Sequence, residues 1–198
     1  MTSYSQHSED VYLWNYIHKN NLETPNLIVE LGACDGLESS NSRLFIDNGW
    51  NAHLVEANPD YYAKLFKLYS ENAKVNTVNA AIISTQLDGG VVPFTIYPDH
   101  LNHSGIHKFP KFNPNVQIYI NTTNYNSMPN NIGILSIDIE GLDTEIVIDM
   151  MLSKNLPEFV IVESNDMKER RDQIELLICE YDLINVLNVN TVWKRREQ

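Results

Sequence analysis

Residues 26–36 read NLIVELGACDG and residues 51–57 read NAHLVEA. Each is a short apolar run that closes on an acidic residue beside turn-forming residues, as a strand buried in a parallel sheet would. NLIVEL stops at Gly32, and NAHLVEA runs into Asn58-Pro59. Asn at a helix cap with Pro at the first helical position is a good helix opening. Tyr62, Leu65, Phe66 and Tyr69 continue that helix at i, i+3, i+4, i+7 spacing. Between the two strands a helix is expected from Ser40 to a stop at Gly49.

Working outward, SEDVYLWNYIHKN near the N-terminus reads as a helix. Ser8 is its expected cap, Glu9 and Asp10 sit at the positive end of its dipole, and Leu13, Tyr16 and Ile17 share a face. A third strand fits Lys74–Ile83, and Val91–Tyr97 reads as a short extra strand or hairpin arm. Residues 98–130 are polar and aperiodic, the character of a lid or binding segment. Gly133–Ile139, a helix near Asp143–Leu152 and a strand at Glu158–Glu163 follow. Then comes a helix with Ile174, Leu177, Ile178 and Tyr181 on one face, and two strands, Leu183–Val189 and Thr191–Lys194, paired around Asn190. Strand and helix alternate, so the expected architecture is α/β: one domain over 1–198 built on a doubly wound, mostly parallel sheet with helices on both faces. Residues 1–25 form its N-terminal helical element.

Composition narrows the chemistry. The 198 residues carry 14 Lys+Arg against 26 Asp+Glu, a net charge of −12. A surface this acidic repels phosphate backbones, so nucleic acid is not an expected partner. No apolar run reaches the roughly 18 residues of a membrane span. No basic segment followed by an apolar one marks a signal peptide, and two cysteines make no disulfide framework. A cytoplasmic protein is expected.

Ligands of open parallel sheets sit at the carboxyl ends of the strands, where strand order reverses. Here those ends are polar or acidic throughout: Glu30 to Gly36, Glu56-Ala57-Asn58, Asn79-Ala80-Ala81, Asp138-Ile139-Glu140-Gly141 and Glu163-Ser164-Asn165-Asp166. The first differs from the dinucleotide fingerprint, because only Gly32 and Gly36 are present and the loop carries Asp35 and Glu38. Those acids repel a pyrophosphate and suit a ligand with a positive centre. Glu56 stands about 20 residues beyond Gly36, where an acid commonly accepts hydrogen bonds from ribose hydroxyls. A ribose-bearing, phosphate-free, cationic cofactor is S-adenosylmethionine. The plainer alternative is that the glycines only shape a turn and Glu56 is a solvated strand-end charge.

VELGACDGLESSNSRLF, GWNAHLVEANPDYYAKL, LSIDIEGLDTEI and VIVESN resemble successive signatures of the FkbM-type S-adenosylmethionine-dependent methyltransferases, and Ser5-Gln6 with Glu9-Asp10 resembles that family's N-terminal element. The resemblance runs from about residue 5 to the fifth strand. It implies the class I methyltransferase (Rossmann-like) fold, with a seven-stranded sheet and an antiparallel last strand. It also implies that Glu30, Gly32, Ala33 and Asp35 form the methionine-side loop and that Ser40 and Asn41 follow at the next helix start. By the same resemblance Glu56 holds the ribose, Asn79, Ala80 and Ala81 lie near the adenine, and Asp138 faces the sulfonium and acceptor. Ser8 stands where Gly is common, Ser42 where Thr is common, and the middle segment does not align.

Methyl transfer to oxygen needs no covalent nucleophile, only placement, exclusion of water and removal of a hydroxyl proton. Asp138 and Glu140 are the base candidates, since alternation at a strand end sends both to one side; the competing roles are a local hydrogen bond and a helix cap. His100, His103 and His107 have zinc-like spacing but no fourth ligand, and a lid role fits them better. Mg2+ between Asp138 and Glu163 or Asn165 is a less favoured arrangement. Cys34 reads as a small loop residue, Lys194-Arg195-Arg196 as a solvated tail, and Asn121-Thr122-Thr123 as an idle glycosylation acceptor. The expected activity is O-methylation of a hydroxyl on a sugar, glycan or other natural product. The acceptor pocket would come from the N-terminal helix and the 98–130 segment, or be completed by a second subunit of a homo-oligomer. The alternatives are an NAD-type oxidoreductase and a non-catalytic methyltransferase-like binding module.

Overall fold

The computed structural model describes residues 1–87, 89–99, 104–106, 116–164 and 168–197. Its elements are α1 (Glu9–Lys19), β1 (Leu27–Leu31), α2 (Arg43–Asp47), β2 (Asn51–Glu56), α3 (Pro59–Tyr69), β3 (Val75–Asn79), β4 (Ala81–Ile82), β5 (Val91–Ile96) and β6 (Val116–Thr123). A short 3-10 turn, β7 (Ile134–Ile137), α4 (Asp143–Ser153), β8 (Phe159–Glu163), α5 (Lys168–Leu177), β9 (Tyr181–Leu187) and β10 (Asn190–Arg195) follow. Seven strands form one sheet in the order β3-β2-β1-β7-β8-β10-β9. β3, β2, β1, β7 and β8 are parallel, and β10 runs antiparallel to both β8 and β9. This is the seven-stranded arrangement that the resemblance implies.

Alternation along the strands divides the core. Ile28, Leu54, Ile134 and Ile161 pack with Leu13 and Ile17 of α1, Phe45 of α2, and Leu65 of α3. Val29, Leu31, Val55, Leu135 and Val162 pack with Ile146 and Met150 of α4 and Ile174 of α5. With helices on both faces, the central strands are apolar on both sides. Glu30 is therefore an anomaly, a carboxylate in the middle of β1 on the α2 face. Strand order turns around at β1 and β7, which places the crevice between their carboxyl ends.

Several expectations need correcting. The helix expected from Ser40 shortens to α2, because Ser40, Asn41 and Ser42 stay in the preceding loop and donate to Glu30 instead. The strand expected over Lys74–Ile83 breaks at Ala80. Its second half becomes β4 of a separate three-stranded sheet, ordered β4-β6-β5, with β6 parallel to β4 and antiparallel to β5. The 98–130 segment is thus not wholly aperiodic: it contains β6, including Asn121-Thr122-Thr123, and a 3-10 turn at Tyr125–Ser127. Its strand signal is weak because β6 exposes Val116 and Tyr119 along with polar residues and buries Ile120 alone. Tyr181 opens β9 rather than extending the helix, and Asn190 begins β10, so the hairpin turns at Asn188, which is left-handed. The basic tail is pinned: Arg195 donates to Leu156 O and pairs with Glu158, and Arg196 pairs with Asp182.

Ser8 precedes α1 but its side chain caps nothing. The donors of this turn are met by the two acids that follow. Asp10 accepts from Tyr4 N and Val11 N, and Glu9 accepts from His7 N. Ser8 itself adopts φ 67°, a left-handed conformation that costs a residue with a Cβ about 1–2 kcal/mol. That explains why glycine is common at this place in the resembling family. Ser8→Gly should raise stability by about 1 kcal/mol, after part of the relieved strain is offset by the freer unfolded chain. Urea denaturation checks it, and a destabilised variant would contradict this account of the turn.

Candidate active site

The loop after β1 is shaped by close backbone packing. Gly32 has φ +87°, and a Cβ there would lie 1.8 Å from the carbonyl oxygen of Asp138. No side chain fits, because β1 and β7 meet at this point, with Asp138 N donating to Leu31 O. Gly36, at φ +74°, is closed off by Leu65 and Tyr69 of α3, and the Tyr69 hydroxyl donates to Gly36 O. Cys34 between them is also left-handed, at φ 49°. Its N–H donates to Glu56 Oε2 at 2.8 Å, tying the loop to the end of β2. Asp35 Oδ1 accepts from the N–H groups of Leu37 and Glu38, which holds the loop's second bend.

Over these strand ends lies a cleft of about 440 Å3, within the range of small-molecule sites. Gly32, Asp35, Glu56, Ala80, Ala81, Asp138 and Glu140 line it. Five other residues expected at a cofactor do not. Glu30 is 4% exposed and accepts from Asn41 N at 2.7 Å and from the Ser40 and Ser42 hydroxyls. Ser40 and Asn41 are spent on that same knot, and Asn41 Nδ2 reaches across to Ser136 of β7. Ala33 is buried, its N–H bonded to Val55 O. Asn79 donates from Nδ2 to the carbonyls of Glu56 and Ala57. These residues therefore support the walls of the cleft and do not form them, a distinction that residue order cannot express.

Glu56, 6% exposed, receives Asn58 N on Oε1 and Cys34 N on Oε2. Each oxygen keeps a second lone pair. Burial nonetheless pushes its pKa up to about 7. Asp138 follows β7 and is open to water within the cleft. Enclosure by surrounding protein, and then the charges of Glu163, Asp143, Glu140 and Glu30, push it well above the usual carboxylate range. Glu140 does not reach the cleft by strand alternation, since β7 ends at Ile137 and Glu140 is left-handed, with φ 55°. Nor does it cap α4. Asp143, the first residue of α4, instead braces the loop before it, accepting from Ile139 N and Gly141 N while paired to Arg170 of α5 at 2.5 Å. The loop that carries Asp138 and Glu140 is thereby fixed from below.

Six carboxylates line the cleft, from Asp35, Glu38, Glu56, Asp138, Glu140 and Glu163, and no Lys, Arg or His does so among the described residues. Gln6, Tyr61, Phe94 and Ile106 also line it, none of them singled out individually as a site residue from the sequence. Tyr61 had a legible signal, because it lies in the first turn of α3 just beyond the end of β2. Ile106 falls within the 98–130 segment read as a lid or binding segment, whereas Phe94 had no such signal, since the second sheet brings it there. Among the described residues, no group of three or more His, Cys, Asp or Glu is placed to hold a metal ion. His100, His103, His107 and Asn165 lie outside the described residues.

The Glu30 knot makes stability depend on pH. Burial raises this carboxyl from 4.5 to about 7 despite its three hydrogen bonds. A group raised on folding contributes stability that is complete below its unfolded pKa and is lost as pH rises through the folded one. Stability should therefore fall between about pH 4.5 and 7. Glu30→Gln should flatten part of that fall in urea titrations, leaving the part due to Glu56. An unchanged profile would contradict a protonated Glu30.

The sequence profile of the methyltransferase FkbM domain matches residues 30–183, from within β1 into β9. No curated protein matches the chain. Among solved structures it is similar to a putative RNA methyltransferase from Pyrococcus horikoshii, at 9% identity and TM-score 0.55, covering 96% of this chain and 83% of that one. It is also similar to the putative methyltransferase yhhF from Escherichia coli, at 13% identity and TM-score 0.54, covering 96% and 86%. A third is the SAH-bound methyltransferase PaMTH1 from Podospora anserina, at 9% identity and TM-score 0.54, covering 98% and 80%. Likeness at such identities establishes the class I, Rossmann-like methyltransferase fold. Together with the match over most of its length, it means that the chain belongs to the FkbM methyltransferase family.

Proposed function

We propose that this protein transfers a methyl group from S-adenosylmethionine to a hydroxyl of a sugar, glycan or other natural product. The observation that carries the reading is the charge of the cleft. Its six carboxylates, with no cationic side chain among the described lining residues, disfavour phosphate and favour a ligand with positive centres. Glu56 fits the ribose end, because its two oxygens retain lone pairs for vicinal hydroxyls. The cofactor supplies a methyl group already activated by a sulfonium. The chain's own part is to hold the acceptor in line, exclude water and take up a proton. Phe94, Ile106 and Leu142 provide apolar wall that would help exclude water.

Asp138 is the favoured base, with Glu140 second. Enclosure and the neighbouring carboxylates favour the protonated form of Asp138, and a neighbouring positive charge opposes that effect. The group becomes ionised when the cation is in place, so it can accept the hydroxyl proton as the oxygen–carbon bond forms. The same reading takes the acceptor as a small molecule or glycan handled in the cytoplasm, with no role for nucleic acid or a membrane. No helix among the described residues is long and apolar enough to cross one.

Two measurements test this. S-adenosylhomocysteine should raise the melting temperature, while NAD and NADP should not; the reverse pattern would favour an oxidoreductase. Asp138→Asn should keep S-adenosylhomocysteine affinity and lose about 10²–10⁴ in turnover, read with labelled S-adenosylmethionine on a panel of hydroxylated sugars and phenols. The loss should shrink at high pH, where the acceptor ionises unaided. Undiminished turnover would remove Asp138 from the chemistry.

A further inference from the structure

The segment before α1 is tethered far more firmly than an N-terminal arm needs to be. Asp10, fully buried, accepts from Ser3 Oγ at 2.6 Å, Tyr4 N at 2.8 Å and Ser5 Oγ at 2.7 Å. Glu9, also fully buried, accepts from His7 N at 2.9 Å and from Asn190 Nδ2 of β10 at 2.6 Å. The His7 ring adds a contact with Asn188 in the β9–β10 turn. Two carboxylates are thus withdrawn from water and satisfied by neutral donors, a costly arrangement. Its result is a rigid strap at the carboxyl end of β8, since Asn190 lies opposite Glu163.

Gln6 is the strap residue held on both sides and bonded to neither carboxylate. Its side chain is exposed, lines the cleft and makes no hydrogen bond among the described residues. We propose that Gln6 donates from its side-chain amide to the α-carboxylate of the bound cofactor, an inference that rests on the S-adenosylmethionine reading above. That cofactor carries one negative group along with its positive ones, and the cleft is hostile to it. Six carboxylates surround the space, and no described lining residue brings an ammonium, guanidinium or imidazole. The α-carboxylate therefore needs neutral donors. Two side-chain amides line the cleft, Gln6 and Asn58; Asn58 Nδ2 is buried in the wall, whereas Gln6 is exposed. An amide nitrogen is an obligate donor, unlike the hydroxyls of Ser39 or Tyr61. Gln6 is the amide left open to the task, and its backbone is already fixed.

Calorimetry with two ligands tests this, S-adenosylhomocysteine and its decarboxylated analogue, which keeps the amine and lacks the carboxylate. Gln6→Ala leaves every anchor of the strap in place and should weaken S-adenosylhomocysteine about tenfold, the range for a hydrogen bond to a charged group. Gln6→Glu should weaken it further through repulsion. Neither variant should weaken the analogue, and Gln6→Glu should strengthen its binding. Equal losses for both ligands, or no loss for S-adenosylhomocysteine, would overturn the assignment of Gln6 alone. Wild-type protein that fails to bind S-adenosylhomocysteine would overturn the cofactor reading and this inference with it.

Discussion

The approach of Gly32 to the carbonyl of Asp138 governs the rest of the site. β1 and β7 can pair closely up to their carboxyl ends only because nothing projects from residue 32. That contact sets the depth of the crevice at the reversal of strand order. It also aims the chain after β1 over the end of β2, where Cys34 N meets Glu56. From the other side, Asp138 N closes the same junction on Leu31 O. The acidic loop, the strand-end glutamate and the candidate base are thereby gathered around one point.

A second constraint is electrostatic. This chain buries carboxylates repeatedly and satisfies most of them without cations. Glu9, Asp10, Glu30, Glu56 and Asp149 are all buried, and each accepts from backbone N–H groups together with hydroxyls, amides or both, or from backbone alone. Asp143, with Arg170, is the exception. Backbone donors fix geometry without bringing a compensating positive charge, so burial still raises Glu30 and Glu56 to about 7. Of those five, Glu56 lines the cleft, where Asp138 is likewise raised above the usual carboxylate range, and a cation bound there would favour release of their protons.

The main sheet was legible because its strands are apolar on both faces and stop at turn-forming residues. The Asn58-Pro59 helix start appears as read, with Asn58 Oδ1 accepting from Asp60 N. The same reasoning failed where a polar residue points into the core. Glu30 sits in a motif that reads as ligand-binding, yet strand alternation turns it toward α2 to hold Ser40, Asn41 and Ser42. Likewise Glu9 and Asp10 do stand in the first turn of α1, as the dipole favours, and are in addition the buried anchors of the segment before them. The second sheet was missed because β4 is two residues long and pairs with β6 about 40 positions away, a contact without local signature.

The central claim is that the cleft holds protons until a cation enters it. Calorimetric titration of S-adenosylmethionine at pH 6, in two buffers of different ionisation enthalpy, tests this directly. At that pH the ligand's own amine is charged, Glu56, at about 7, is largely protonated, and Asp138 is shifted toward its protonated form. The account predicts net release of protons to the buffer on binding, diminished in Asp138→Asn. Binding without release, or with proton uptake, would contradict it.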